Sequence, residues 1–238
     1  MSGAQPSEFA LTRAADGGSA VTDRALLQRF VSRQDEAAFA ELLARHGAMV
    51  RGMCQRVLAN PDDADDAFQA TFMVLARKAA KVSWQESIAG WLYQTAHRIA
   101  LKARTSLLRR RAHENEAANM PRAQAISDGA ATAGWRELRP VLDDELNRLP
   151  EKYRLPLVLC YLENKTNDQA ADLLGWTRGT VAGRLSRARD LLRQRLARRG
   201  VVLPAALLAT LLTTNSASAV PTTLLLTTAK AATLVEFV

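Results

Sequence analysis

With 238 residues, 48% of them hydrophobic, the chain has enough material for one or two small domains with buried cores. A formal net charge of +8 and a pI near 10.1 favour nucleic acid or an acidic surface as partner. Aromatic residues make up only 5%, and few β-branched clusters are bounded by turn residues, which argues against an all-β fold.

Residues 1–20 are small and polar and read as a disordered tail, with no charge-then-apolar order of a signal peptide. Helical periodicity begins near Thr22, with Leu26, Leu27, Phe30 and Val31 on one stripe. After a polar break at 32–36, Phe39, Leu42, Leu43, Val50, Met53 and Val57 form a second stripe. His46 falls on that stripe and, without a partner at ligand spacing, reads as a satisfied, partly buried histidine; no metal is expected. Cys54 and Cys160 form no CxxC pair and read as buried thiols of a reducing, cytoplasmic protein.

Asn60-Pro61 punctuates the chain, and the next helix opens with Asp62, Asp63, Asp65 and Asp66. Carboxylates in a first turn complement the helix dipole, but four repelling one another call for a basic protein partner or a metal. Ala67, Phe68, Thr71, Phe72 and Leu75 face the core of this helix. A short loop centred on Trp84 leads to a helix with Ile88, Trp91, Leu92, Ala96, Ile99 and Ala103 on its buried face. Tyr93, Gln94, His97, Arg98, Lys102 and Arg104 are expected on the opposite face, followed by Arg109–Arg111. Cations interleaved with rings suit an unstacked strand, where phosphates are held and bases stack.

Periodicity disappears over 112–134, which reads as a flexible linker. Beyond it, Leu138, Val141, Leu142, Leu146 and Leu149 mark a helix, Pro150 interrupts, and Pro156 is expected to distort the helix that follows. Thr166 and Thr177 stand where N-caps belong, and Gly175 lies where a helix can end in a left-handed turn. Ala170, Leu173 and Leu174, then Val181, Leu185, Ala188 and Leu192, give the two stripes of a helix-turn-helix. From Arg178 to Arg199 the second helix carries eight arginines against one acid, Asp190. A one-signed run on such a motif points to duplex DNA.

Three blocks now stand in order: DDADDAFQATF, GWLYQTAHRIALKAR, and LPEKYRLPLVLCYLENKTNDQAADLLGWTRGTVAGRLSRARDLL. Together they resemble the extracytoplasmic-function (ECF) group of the sigma-70 family, over about residues 22–199. The resemblance implies an all-α fold of two small helical domains. A region 2-like domain would span 21–111 and a region 4-like domain 135–200, with the linker 112–134 between them and an apolar extension, 201–238, after them. It implies that Asp65, Asp66, Phe68 and Gln69 dock on the β′ clamp helices of core RNA polymerase, with the β flap as a second contact. Trp84, Gln85, Glu86, Ser87, Ile88, Tyr93, His97, Arg98 and Lys102 would serve the melted −10 element. Thr177, Arg178, Thr180, Ala182, Gly183, Arg184, Ser186, Arg187 and Arg189 would serve the −35 element in the major groove. An anti-sigma factor or other regulator is a further partner the resemblance allows; no cofactor and no catalytic residue is implied.

The chain departs from the family where Ala182, Gly183 and Ser186 are small, which leaves base reading to Thr180, Arg184, Arg187 and Arg189. Arg98 stands where many relatives carry Asn. The apolar run 201–212 is too short to span a bilayer, since a spanning helix needs roughly 20 apolar residues. Two rivals are a stand-alone dimeric helix-turn-helix regulator and a DDxxD magnesium-dependent prenyl-chain synthase. The second needs a facing acidic cluster, for which only Asp143-Asp144-Glu145 is available.

Overall fold

The computed structural model describes residues 21–81, 87–118, 130–213 and 219–235, without the side chains of 113–118 and 130–137. The 1–20 tail, Trp84, Gln85, Glu86 and the middle of the linker lie outside the described residues. The described chain is helical, in two packed units and a C-terminal extension.

The first unit holds α1 (Asp23–Arg33), α2 (Glu36–Val57), α3 (Pro61–Lys78) and α4 (Ala89–Ala118). Each of the first three starts on a side-chain cap: Thr22 accepts from the Ala25 N–H, Asp35 from Ala38 and Asn60 from Asp62. Pro61 at the start of α3 loses nothing, because a first-turn N–H has no intrahelical acceptor. Between α1 and α2, Gln34 takes a left-handed turn (φ 53°), which sets the break at the polar stretch. Phe30, Phe39, Phe68 and Phe72 fill the core, with Phe30–Phe39 and Phe68–Phe72 centroids 4.5 and 4.9 Å apart. Burial of one such ring contributes about 1.5–3 kcal/mol, so this cluster holds the bundle.

The second unit holds α5 (Ala130–Asn147), α6 (Glu151–Leu157), a π-helical turn (Val158–Leu162), α7 (Asn167–Leu174) and α8 (Arg178–Arg198). Helix enters the 112–134 span from both sides, because alanine keeps helix propensity high even where apolar periodicity is lost. Pro156 sits inside α6, which ends one residue later as the winding loosens into the π turn. There the Glu163 N–H reaches the Val158 carbonyl, five residues back, at 3.1 Å. The extension forms α9 (Ala205–Thr213) and α10 (Thr222–Thr233). α9 packs on the π turn and α8, and α10 packs on α2 and α3.

The two units pack against each other, α2 on α5 and α4 on α6 and the π turn. Gly90 permits the closest approach: a Cβ there would run into the Leu155 side chain of α6. Between the units lies His46, 3% exposed, with Nε2 2.9 Å from Asp23 Oδ2 and Nδ1 2.5 Å from Glu163 Oε1. The satisfied histidine expected from sequence is thus present, and its two partners come from opposite units. Burial alone would depress its pKa, but the Glu163 and Asp23 carboxylates override it and raise the value to about 10. Asp23 also accepts the Ile88 N–H at 3.0 Å and meets Arg45 at 3.3 Å. Against the cost of burial, these partners pull its pKa down.

Because the folded pKa of His46 lies above its ordinary 6.5, its stabilisation is complete below that pH. It is lost as pH rises towards and through about 10. The melting temperature of the wild type is expected to fall across that window more steeply than that of His46→Gln. Parallel pH curves for the two proteins would show that the imidazolium adds nothing.

Candidate nucleic-acid interface

The hairpin that carries the basic run is built from capped, closely packed pieces. Thr166 accepts from the Gln169 N–H while the Gln169 side chain accepts from the Thr166 N–H, a reciprocal capping box. Gly175 ends α7 at φ 63°, and Thr177 then caps α8 by accepting from Thr180. Val181, Leu185, Ala188, Leu192 and Leu196 are buried along one side of α8. The opposite side therefore faces outward, with Thr177, Arg178, Ala182, Gly183, Ser186 and Arg187 exposed.

The eight arginines divide into different tasks. Arg184 lies over the Trp176 ring, 3.9 Å from its centroid, so the guanidinium is stacked beside the turn. Arg189 donates to the Tyr161 hydroxyl at 3.4 Å. Arg193 pairs with Asp190 one turn back. Arg195 and Arg199 reach across to α5, with Arg199 2.8 Å from Glu145 and 3.9 Å from Asp144. Arg193, Arg195 and Arg199 thus hold protein carboxylates, while Arg178 and Arg187 in the first half of α8 and Arg198 at its end stay exposed. Arg178 is only loosely paired with Asp168 at 3.5 Å, both side chains being well exposed.

A second basic face runs along α4, where Gln94, Arg98, Lys102, Arg104 and Arg109–Arg111 are exposed. The expectation that Tyr93 and His97 share this face is corrected. Tyr93 is fully buried, and its hydroxyl donates to Asp143 Oδ1 at 2.7 Å. His97 lies 3.1 Å from Asp144 and is only 9% exposed. The reason is packing: helix α5 lays Asp143 and Asp144 along α4. Burial, opposed by those two carboxylates, holds the His97 pKa below the usual histidine range. Ile88 is a core residue at 1% exposure, so its side chain has no access to a ligand here, whereas Ser87 is half-buried beside it. Trp91, expected in the core, is half-buried.

Asp143 also binds Arg56 of α2, at 2.7 and 3.2 Å, in a fork almost shut off from solvent. Burial disfavours the guanidinium charge, but Asp143 outweighs it and raises the Arg56 pKa. Asp143, Asp144 and Glu145 are therefore occupied by cations and a hydroxyl of this chain, not set as a second magnesium cluster. Among the described residues no group of three or more His, Cys, Asp or Glu is placed to hold a metal ion. The triplet itself is visible in the sequence, but its partners on α2, α4 and α8 carry no local signal that links them to it.

On α3, Asp66 is exposed and Gln69 half-buried, while Phe68 is fully buried. Docking on a partner calls for exposed carboxylates at both Asp65 and Asp66, but Asp65 is held by Arg51 at 2.8 Å and is less than one-third accessible.

Residues 42–112 match the family model of sigma-70 region 2, and residues 140–192 match that of sigma-70 region 4. The chain belongs to the sigma-70 family, in its ECF group. It is 26% identical over 174 residues to the ECF RNA polymerase sigma factor SigW of Bacillus subtilis, covering 70% of this chain and 92% of that one. It is 26% identical over 183 residues to the ECF RNA polymerase sigma-E factor of Haemophilus influenzae, covering 74% and 96%. Among solved structures it is similar to the sigma factor RpoE in complex with the anti-sigma factor NepR from Bartonella quintana. That likeness is 25% identical, covers 66% of this chain and 94% of that one, and has a TM-score of 0.31. The matched regions end at residue 192, so α9 and α10 lie beyond them. No helix among the described residues is long and apolar enough to cross a membrane.

Removing one member of a buried ion pair leaves the other uncompensated, at a cost of about 3–5 kcal/mol. Arg56→Ala should therefore lower the unfolding free energy by that amount in a urea titration. The double variant Arg56→Met, Asp143→Leu should recover part of the loss, since a packed apolar pair needs no counter-charge although the buried Tyr93 hydroxyl loses its acceptor. A double variant as unstable as the single one would mean that Asp143 matters chiefly through Tyr93.

Proposed function

We propose that this sigma factor brings core RNA polymerase to promoters with three separate surfaces of one chain. The observation that carries the reading is the outward face of α8. A capped N-terminus, a row of small exposed residues and exposed Arg178 and Arg187 sit on a hairpin whose other side is core. A recognition helix enters the major groove with its N-terminal half towards the bases. Small Ala182, Gly183 and Ser186 let the α8 backbone lie close to the duplex, and Arg187 is then the side chain best able to reach a guanine. Arg184, stacked on Trp176, is better suited to a phosphate beside the turn. This surface would read the −35 element, with residues 135–200 as its domain.

The exposed cations of α4, Arg98 and Lys102 foremost, would follow the strand freed at the −10 element. Trp84, Gln85, Glu86 and Ser87 precede that helix and would supply the pocket for an extruded base. For Tyr93 and His97 to take part, α5 would have to leave α4, so promoter melting would use an opened form of the chain. Residues 112–134 would then act as the tether between separated units. On α3, Asp66 and Gln69, flanked by Asp65 and Phe68, would dock onto the β′ clamp helices, within a domain spanning 21–111. The role is regulatory and exercised in the cytoplasm, on the nucleoid, with a regulator such as an anti-sigma factor as a further partner.

Two substitutions test the surfaces. Asp66→Lys places the wrong sign on an exposed position, so co-purification with core polymerase should be lost while the thermal melt stays unchanged. Retained co-purification would count against docking through α3. Arg187→Ala should cost about 1–3 kcal/mol of discrimination at one −35 base pair, read from a binding series over single-base promoter variants with the polymerase present. A uniform weakening over all variants would assign this arginine to phosphate.

A further inference from the structure

The extension beyond the matched regions touches both halves of the molecule, and its second helix covers one particular face. α10 lies on α2 and α3 with Leu224, Thr228, Ala229 and Ala232 buried. The buried Thr228 hydroxyl donates to the Leu224 carbonyl at 2.6 Å, which lets a polar residue face the core without an orphaned group. Gly47 of α2 forms the seat. A Cβ there would lie 3.2 Å from Val220 Cγ2 and 3.6 Å from both Leu225 Cδ2 and Phe68 Cε2. Arg51 completes the contact, bonding Asp65 Oδ1 at 2.8 Å and the Ala219 carbonyl at 3.1 Å.

Phe68 is thus next to the extension, and Asp65 is tied through one guanidinium to the segment that leads into α10. These two residues belong to the α3 set assigned to polymerase docking. A helix with its side chains is about 10–12 Å across. Another protein helix that settles against Asp65 and Phe68 would therefore meet Ala219, Val220 and Leu225 of the extension.

We propose that the C-terminal extension is an inhibitory clasp: α10 and polymerase compete for the α2–α3 face, and the free protein is held closed. The proposal rests on the reading of α3 as the docking helix. The clasp acts at both ends, because α9 is anchored on the π turn and α8 of the other unit. Displacing α10 releases Arg51 from the Ala219 carbonyl, opens the face beside Asp65 and Phe68, and removes one of the restraints that keep the units together. The contact is suited to release. Its buried side chains are mostly small, and Leu226 and Leu234 point outward, 54% and 83% exposed.

The test uses the full chain and purified core polymerase, with affinity measured by titration of a fluorescently labelled protein. Leu224→Asp with Ala229→Asp places two carboxylates under α10 and should release it, tightening binding at least tenfold. A Gly47→Cys, Val220→Cys pair closes the clasp covalently when oxidised. The oxidised protein should bind at least tenfold more weakly than wild type and recover on reduction. Asp66→Lys serves as the reference for docking itself. Loss of binding in Asp66→Lys with no response to either clasp variant overturns the clasp and leaves the docking surface standing. Retained binding in Asp66→Lys overturns the docking surface and, with it, the clasp.

Discussion

A protonated imidazole held between two carboxylates from different parts of the chain is the constraint on which this arrangement turns. His46 is buried, Asp23 lies on its own unit and Glu163 on the other. Burial disfavours an imidazolium in such a place, and the two acids together offset that cost. If the units separate, Glu163 leaves and the remaining site must find water or another partner. The closed form is therefore a defined state with its own electrostatic register. The same holds for Arg56, Asp143 and Tyr93 a few turns away, again shared across the junction. Buried ion pairs of this kind contribute little net stability because desolvation offsets their attraction, but they penalise misalignment heavily. A junction made this way is specific without being permanent.

That junction also explains how the basic residues are distributed. A run of eight arginines on one helix suggests a uniform DNA-binding surface. In the folded chain Arg195 and Arg199 turn to α5, where Glu145 and Asp144 wait, and Arg193 pairs with Asp190 of its own helix, while Arg178, Arg187 and Arg198 stay outward. The division follows from helix geometry. Residues 188, 192 and 196 recur at i, i+4 and i+8 on the buried side, and Arg195 and Arg199 sit at the edge of that side. Net charge alone thus overstates the surface available to DNA, and the location of each guanidinium decides its use.

Much of the fold was legible because it is written in local signals. The caps at Thr166 and Thr177, the left-handed Gly175 and the 3–4 stripes of α2, α3 and α8 act over a single helix turn. What escaped was the non-local part. His46 and Glu163 are 117 residues apart, and no periodicity links them. Tyr93 and His97 look polar enough for a solvent face, yet they stand among Ala89, Ala96 and Ala100, all buried. That row of small residues, with Gly90 beside it, marks where a second helix comes close. It distinguishes a helix buried on two sides from one buried on a single side. The alternation of Thr and Ala in α10 similarly hid a buried face, because threonine hydroxyls satisfied within the helix leave their methyl groups to pack.

The extension and the junction act on the same equilibrium from opposite ends. α10 restrains α3 by covering it, while the His46 and Arg56 sites restrain α4 by keeping α5 on Tyr93 and His97. Opening the junction alone leaves α10 on α3, and lifting α10 alone leaves Tyr93 and His97 of α4 buried. A large partner engaging α3 and the second unit together would offset both restraints at once, which neither promoter DNA nor a small ligand is placed to do. Coupling of this kind needs no special relay, since the two restraints meet in α2: it carries Gly47 and Arg51 under the extension and His46 and Arg56 at the junction. One rigid helix with both sets of contacts makes the closed molecule a single cooperative object.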